Sequence, residues 1–269
     1  MWIALGVVLF LLLAFLFCVF PSPRRHAERK NMAGRLIAHR GLHDAQKPEN
    51  SLAAFRAAVD AKLAIENDIH ITKDGEVVVF HDDTFTRMCG CDGRPENMTL
   101  REIKALRLAG TEETVPTLRE CLDVVDGRVP ILVEFKCTKP DVCRRLCEKA
   151  DEILSDYKGV YWVQSFYPGV PAWYRRHCPR ICRGQLASSF RGKSFSLRLL
   201  GTLVANVAAR PDFVSYDIAA YRYIFFRFNV LLGAFPVGWT YRSEKDLKTR
   251  KKPFKTWIFE NFDAPGLRQ

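Results

Sequence analysis

Short apolar runs rich in β-branched residues alternate with amphipathic stretches along most of this 269-residue chain. Runs of the first kind are typical of strands buried on both faces, and the stretches between them are typical of helices. Two parallel strands need a long crossover connection, which a helix supplies. The alternation therefore predicts an α/β protein with a parallel sheet. The strand candidates are residues 36–39, 65–71, 76–80, 131–136, 160–165, 181–187, 213–216, 236–240 and 256–260.

These candidates make about eight strand-and-helix units within residues 35–269, close to the ~250 residues typical of a (β/α)8 barrel. A doubly wound open sheet is the main alternative. Only the turn sequence 72–75 separates the second and third candidates, and it is too short for a crossover helix. Residues 83–116 then form a polar excursion with Gly and Cys. We predict a distorted (β/α)8 TIM barrel with a small insertion after the third strand.

The first residues of the chain are strongly apolar, because Trp2 to Phe20 contains no charge and no proline. A helix of this length nearly crosses the ~30 Å of hydrocarbon in a bilayer. A cleaved signal peptide needs basic residues before the apolar run and small residues after it, and neither is present. We therefore expect one N-terminal transmembrane anchor over residues 1–21, a basic linker over 22–34 and the barrel over 35–269.

Charge around the anchor predicts its orientation. Four basic residues follow the apolar run against the single Glu28, and basic flanks stay on the cytoplasmic side. The net charge of +11 and pI near 9.3 suit an anionic membrane or a nucleic acid. The chain lacks zinc-finger, KH and RRM signatures, so we expect a membrane partner, no nucleic acid and no protein partner. The four basic residues are Arg24, Arg25, Arg29 and Lys30.

The nine cysteines fit a cytoplasmic placement. Their number is odd, Cys18 lies in the apolar run, and paired CxxC motifs of zinc-site spacing are missing from the sequence. We expect buried or unused thiols rather than metal ligands.

Polar residues accumulate at the carboxyl ends of the predicted strands, where parallel barrels and open sheets place their sites. Side chains two apart in a strand share a face, so Glu66 with Asp68 and Glu134 with Lys136 each project together. His39 and Arg40 close the first strand and His81 closes the third. If the shared face is the barrel interior, three carboxylates converge.

Three buried carboxylates repel one another unless a hard cation lies among them, and oxygen ligands suit Mg²⁺ or Ca²⁺. We therefore predict one divalent metal ion. His39 and His81 suit proton transfer to and from hydroxyl oxygens. Arg40 and Lys136 suit a phosphate, although Lys136 could instead be a plain salt-bridge partner of Glu134.

Together these residues resemble the glycerophosphodiester phosphodiesterase family, specifically its bacterial type with an N-terminal membrane anchor. The motifs that carry the likeness, in order from about residue 36 to 265, are His39-Arg40-Gly41, Pro48-Glu49-Asn50-Ser51, Glu66-x-Asp68, Thr72-Lys73-Asp74-Gly75, His81-Asp82, Glu134-x-Lys136, Gln164-Ser165-Phe166, Trp239-Thr240 and Asp263-Ala264-Pro265.

The resemblance implies a TIM-barrel enzyme that hydrolyses glycerophosphodiesters to sn-glycerol 3-phosphate and an alcohol. It implies that Glu66, Asp68 and Glu134 hold the metal and that His39 and His81 form the acid/base pair. It further implies that Arg40 and Lys136 contact the phosphate. Phe166 and Trp239, at strand ends, are either substrate contacts or packing at the barrel rim.

Two other functions fit the same residues. One is a lysophospholipase D acting on membrane lysolipids, and the other is a non-catalytic barrel that binds phospholipid headgroups. The aromatic stretch 221–237 bears on the first, because it is either a helix packed on the barrel or an interfacial segment near the site.

Overall fold

A computed structural model of the protein describes residues 2–22, 27–137 and 139–262. The strands are β1 (Leu36–Ala38), β2 (Ala64–Ile71), β3 (Val77–Val79), β4 (Ile131–Phe135), β5 (Tyr161–Ser165), β6 (Arg183–Ala187), β7 (Phe213–Asp217), β8 (Phe235–Tyr241) and β9 (Thr256–Phe259).

The helices that precede or cross over between these strands are α1 (Trp2–Val19), α2 (Glu28–Met32), α3 (Leu52–Asp60), α4 (Thr86–Cys89), α5 (Leu100–Lys104), α6 (Leu118–Val125), α7 (Pro140–Leu154), α8 (Gly169–His177), α9 (Phe195–Gly201), α10 (Asn206–Ala209), α11 (Ile224–Leu231) and α12 (Glu244–Arg250). Two 3-10 turns span Pro95–Asn97 and Ile218–Ala220.

Eight of the described strands form a closed parallel barrel. β1 pairs with β2 on one side and with β9 on the other, and the remaining pairs follow one another around the ring. An open doubly wound sheet would leave two free edges, so this closure excludes it. The predicted TIM barrel is confirmed.

β3 is the strand that departs from the predicted pattern. It runs antiparallel to β2, with Ile69 opposite Val79 and Ile71 opposite Val77, and lies outside the ring of eight. The tight turn at 72–75 explains this, because so short a connection can only return the chain as a hairpin. The end of β3 therefore folds back beside Asp68, whose carbonyl accepts a hydrogen bond from the Phe80 amide.

The barrel interior has two layers, one apolar and one charged. Ala64 and Leu132 lie in an apolar cluster that closes the interior, together with Trp162 and Phe213. Two residues further along the same strands, Glu66 and Glu134 occupy the charged layer. The outward residues of the same strands pack under the surrounding helices. Alternation within the strands thus places apolar contacts below the site and ionisable groups at the carboxyl ends.

The excursion after β3 has a small apolar core of its own. Phe80, Phe85, Ile103, Leu108 and Val115 are buried together there. The helices that flank it begin as expected from the sequence. Capping boxes join Thr99 to Glu102 and Thr117 to Glu120, which satisfies the free amides of each first turn.

The N-terminal helix α1 is present as an apolar helix of 18 residues, long and apolar enough to cross a membrane. Three parts of the sequence-based predictions lie outside the described residues: Arg24, Arg25 and the terminal motif Asp263-Ala264-Pro265. The expectation of free thiols is wrong for one pair, because Cys137 and Cys143 form a disulfide.

Candidate active site

Three buried carboxylates converge inside the barrel mouth. Glu66, Asp68 and Glu134 each offer an oxygen atom, and these atoms all lie within 4.8 Å of one another. The pairing of β2 with β4 causes this, because Asp68 lies directly opposite Glu134. Glu66 Oε1 is buried and has no hydrogen-bond partner among the described residues. An unsatisfied buried oxygen beside two other carboxylates fits a divalent cation, so this triad could hold a metal ion.

Lys136 is the cation closest to this acidic group among the described side chains. Its Nζ lies 2.5 Å from Glu134 Oε1 and 3.0 Å from Asp68 Oδ1. Burial alone would lower the pKa of Lys136, but the surrounding carboxylates raise it. Burial raises the pKa of Glu66, and the charges of Asp68 and Glu134 raise it further. The site therefore lacks positive charge, which an added cation or the protonation of Glu66 would supply.

Asp68 is the carboxylate that stays ionised. Burial alone would raise its pKa, but Lys136 and then His81 and Arg40 lower it. The Asn50 amide donates to Asp68 Oδ2 at 2.9 Å and fixes its rotamer. Burial and the charge of Asp68 raise the pKa of Glu134, although Lys136 opposes this shift.

His39 follows β1 and its ring is held by a carboxylate from the last strand. Its Nδ1 hydrogen-bonds Glu260 Oε2, and its Nε2 lies 3.9 Å from Glu66 Oε2. Arg242 Nε donates to the other oxygen of Glu260 at 2.7 Å. Burial lowers the pKa of His39 and the Glu260 contact opposes this shift. One ring nitrogen is thus engaged by Glu260 while the other faces the acidic group.

The turn after His39 brings its neighbour into the same pocket. Arg40 has a φ of 57°, and its backbone amide donates to Glu66 Oε2 at 3.1 Å. Gly41 follows with a φ of 82°, and an added Cβ would lie 2.9 Å from the Ala54 backbone. Only glycine fits this close approach without strain. The Arg40 side chain reaches Glu49 at 2.7 Å and Asp68 at 3.6 Å.

His81 enters the site from the end of the β2–β3 hairpin. Its Nδ1 hydrogen-bonds Asp82 Oδ1 at 2.7 Å. Arg87, from α4 of the excursion, donates to both oxygens of Asp82 and to both oxygens of Glu49. Burial lowers the pKa of His81. Arg87 therefore connects the support of His81 to the support of Arg40.

Aromatic side chains form part of the wall of the site. Phe166 and Trp239 pack edge to face with ring centroids 5.6 Å apart, and both line a cavity of about 100 Å³. His39, Arg40 and His81 line the same cavity, as do Glu66, Glu134 and Lys136. Asp68 contacts two of these lining residues, Arg40 and Lys136.

All nine residues predicted to form the site thus come together at the carboxyl end of the barrel. Four residues that hold them in place have no role predicted from the sequence. Glu260 follows the last strand, so the strand-end rule used for His39 would have found it. Glu49 and Asn50 lie in a motif already noted, whereas Arg87 had no signal, because its partners are distant in sequence.

The fold and the site together define a TIM barrel with an acidic interior pocket that could hold a metal ion. Residues 39–164 match the model of the glycerophosphoryl diester phosphodiesterase family. The chain belongs to this family.

Curated relatives agree with this assignment. A glycerophosphodiester phosphodiesterase of Caldanaerobacter subterraneus is 39% identical over 102 residues, 35% of this chain and 41% of that protein. Lysophospholipase D GDPD1 of Rattus norvegicus is 28% identical over 162 residues, 55% of this chain and 50% of that protein. The matched stretches span about half or less of these two relatives.

Similarity of fold extends over more of the chain. An Oleispira antarctica phosphodiesterase, solved in complex with the product sn-glycerol-3-phosphate, superposes with a TM-score of 0.72 at 23% identity. The superposition covers 86% of this chain and 94% of that one. A glycerophosphodiester phosphodiesterase of Parabacteroides distasonis gives a TM-score of 0.67 at 20% identity, covering 84% and 92% of the two chains.

Proposed function

We propose that this protein hydrolyses glycerophosphodiesters to sn-glycerol 3-phosphate and an alcohol. The observation that carries the proposal is the convergence of three buried carboxylates, two supported histidines and two basic side chains around one cavity. Family membership and the product-bound Oleispira antarctica structure support the same reaction class.

Glu66, Asp68 and Glu134 are the residues that would hold one divalent ion, Mg²⁺ or Ca²⁺. When bound, such an ion lowers the pKa of a coordinated hydroxyl and offsets phosphate charge. Arg40 and Lys136 bind the phosphate oxygens and orient the diester. Phe166 and Trp239 pack against its organic part.

The two histidines move protons on opposite sides of the phosphate. Glu260 holds His39 Nδ1, which leaves Nε2 to accept a proton from the attacking hydroxyl. Asp82 holds His81 Nδ1, which leaves its Nε2 to donate a proton to the leaving oxygen. Burial lowers the pKa of His39, so this imidazole is neutral near pH 7, as a proton acceptor requires. His81 must instead carry a proton on both nitrogens to act as the donor, and the neighbouring Asp68 and Asp82 favour that charged form against the effect of burial on its pKa.

Product analysis on glycerophosphocholine tests this function. The wild-type chain should release sn-glycerol 3-phosphate, and EDTA should abolish the release until Mg²⁺ or Ca²⁺ is restored. His39→Ala and His81→Ala should each lower kcat by at least about 100-fold, the range general acid–base catalysis contributes. His177→Ala, an exposed histidine on α8, is the matched control. A variant at His39 or His81 with normal turnover would remove that residue from the mechanism.

A second candidate substrate is a lysophospholipid, which carries the same phosphodiester with a long acyl chain. Two observations favour it: exposed apolar side chains at the mouth end of the barrel, and the name of the Rattus norvegicus relative. A barrel that only binds headgroups would give no product from either diester.

We also propose that α1 is a single-pass anchor and that the barrel lies on the cytoplasmic side. Arg29 and Lys30 follow the apolar helix and favour this side. The Cys137–Cys143 disulfide favours the opposite side, because oxidising compartments maintain such bonds. Protease added to intact cells should spare the barrel if the proposal holds and should digest it if the barrel is external. Permeabilised cells, in which the barrel must be digested, are the control.

A further inference from the structure

The anchor helix packs against the barrel through its last turns only. The Phe15 ring lies 5.5 Å from that of Phe225 and 6.2 Å from that of Phe228, measured between centroids. The Asn229 amide donates to the Val19 carbonyl at 2.5 Å. Residues 2–13 of α1 are exposed along their whole length.

These contacts fix the direction in which the helix leaves the barrel. α11 follows β7, so it begins at the site end of the barrel and runs back toward the opposite end. Phe15 meets Phe225 in the first turn of α11, whereas Val19 meets Asn229 near its end. α1 and α11 therefore run in the same direction. The exposed part of α1 projects past the end of the barrel that carries the site.

The exposed part is too short to keep the barrel away from a membrane. Twelve residues of helix rise about 18 Å, whereas the hydrocarbon core is about 30 Å thick. If α1 crosses the bilayer, the turns packed on α11 must lie at the interface. The neighbouring surface at the site end then meets the bilayer.

That surface has the composition of a membrane-contacting patch. Phe195, Leu199 and Ile224 are 79%, 47% and 66% exposed. Arg191 stacks over the Tyr223 ring at 5.9 Å, which joins the segment before α9 to the segment before α11. We define the rim patch as these three apolar residues with three exposed basic residues, Arg191, Lys193 and Arg222.

The basic residues of the rim patch are available for phosphate headgroups. Among the described residues, none of the three lies within ion-pair distance of a carboxylate. Basic side chains around exposed aromatic and aliphatic groups are typical of surfaces that bind anionic bilayers. An apolar patch of this kind on a monomer also marks an interaction site.

We propose that the rim patch docks onto the surface of an anionic phospholipid bilayer, with the mouth of the barrel facing the membrane. The anchor and the rim patch then form one continuous membrane-binding surface. This inference goes beyond the catalytic proposal and does not depend on it, because docking needs none of the residues that line the site. It rests on the proposed insertion of α1 in the bilayer.

Photoactivatable lipids test the docking directly. The full-length chain is reconstituted into vesicles that contain phosphatidylglycerol and a phospholipid with a diazirine in its acyl chain. After irradiation, peptides that carry lipid adducts are identified by mass spectrometry. We expect adducts on residues 191–201 and 221–227 as well as on α1. Adducts confined to α1 would overturn the proposal.

Matched variants separate docking from anchoring. Phe195→Asp combined with Ile224→Asp should lower labelling of residues 191–201 by about tenfold and leave labelling of α1 unchanged. Leu231→Asp is the control, because Leu231 is 80% exposed on the same helix but lies at the opposite end. An equal loss with the control variant, or no loss with the double variant, would contradict the proposal. Vesicles of phosphatidylcholine alone should give weaker labelling of the rim patch, and equal labelling would remove the role of the basic residues.

Discussion

Individual residues in this site depend on partners that are remote in sequence. Glu260 and His39 are 221 positions apart, yet their side chains are in direct hydrogen-bonding contact. Burial alone would raise the pKa of Glu260, but His39 and Arg242 lower it to about 2. Glu260 is therefore ionised over the physiological range and fixes the tautomer and direction of the His39 ring.

Replacing this carboxylate should reduce turnover without damaging the fold. We expect Glu260→Gln to lower kcat by about 10- to 100-fold, as losses of such supporting carboxylates do, with KM nearly unchanged. Steady-state kinetics on glycerophosphocholine measure this split. Glu244→Gln on α12 is the control, since the ion-pair partner of Glu244 among the described residues is the exposed Lys248. A fall in thermal stability together with a rise in KM would indicate a structural role instead.

Asp82 gives a prediction about stability against pH. Burial alone would raise its pKa, but Arg87 and His81 lower it from the ordinary 3.8 to about 2. A carboxylate with a lowered pKa stabilises the folded state above its ordinary pKa, and this contribution is lost as pH falls toward about 2. Because Asp82 is partly exposed, we estimate about 1 kcal/mol.

Denaturant unfolding of the wild type and Asp82→Asn tests that sign. The wild type should have the higher free energy of unfolding at pH 6, and the difference should shrink between pH 4 and pH 2. Asp83→Asn is the control, because Asp83 is 71% exposed and 3.9 Å from its nearest basic partner. A difference that stays constant down to pH 2 would exclude the ion pair as its cause.

At the scale of the elements, the loop after β4 is tied to the helix that follows it. The Cys137–Cys143 disulfide closes a loop with a sequence separation of 6, directly after Lys136. Closing so short a loop restricts the unfolded chain and stabilises the fold by about 2 kcal/mol.

Reduction of this bond should therefore lower the melting temperature. We expect dithiothreitol to lower it by several degrees in the wild type and to have no effect on a Cys137→Ser, Cys143→Ser double variant. Cys91→Ser, which removes a free thiol, should respond to the reductant like the wild type. Thiol titration of the unfolded, unreduced protein should find seven free thiols, and nine would show that the bond is not formed.

Sequence patterns predicted the elements that obey local rules. Strand and helix alternation identified the barrel, and the spacing of Glu66 with Asp68 and of Glu134 with Lys136 predicted a shared interior face. The strand pattern counts β3 among the barrel candidates, and the four-residue turn before it, too short for a crossover helix, predicts a distortion there. The structure shows this distortion to be a hairpin, with β3 antiparallel to β2. His81 still reaches the site, because the hairpin returns the chain to Asp68.

One feature that the sequence did not predict depends on contacts between residues that are far apart in the chain. Arg87 joins Glu49 to Asp82 across the excursion, and this geometry exists only after the barrel has closed. The disulfide was missed because nine cysteines allow many pairings and spacing alone does not select one.

At the scale of the whole molecule, the exposed part of α1, the rim patch and the cavity lie at one end of the barrel. A diester that carries a long acyl chain could then keep that chain in the bilayer while its phosphodiester enters the site. A water-soluble diester gains nothing from this arrangement. If the proposed hydrolysis holds, membrane geometry should set the substrate preference.

We therefore expect the full-length chain in phosphatidylglycerol vesicles to hydrolyse long-chain lysophosphatidylcholine faster than glycerophosphocholine. Phe195→Asp combined with Ile224→Asp should lower the first rate by about tenfold and leave the second unchanged, because the substitutions weaken membrane contact and not the site. Leu231→Asp should change neither rate. Choline release from both substrates, followed for the wild type and the two variants, measures this. An equal loss of both rates in the double variant would indicate damage to the barrel. If the double variant kept both rates, the orientation of the mouth toward the membrane would not determine the substrate preference.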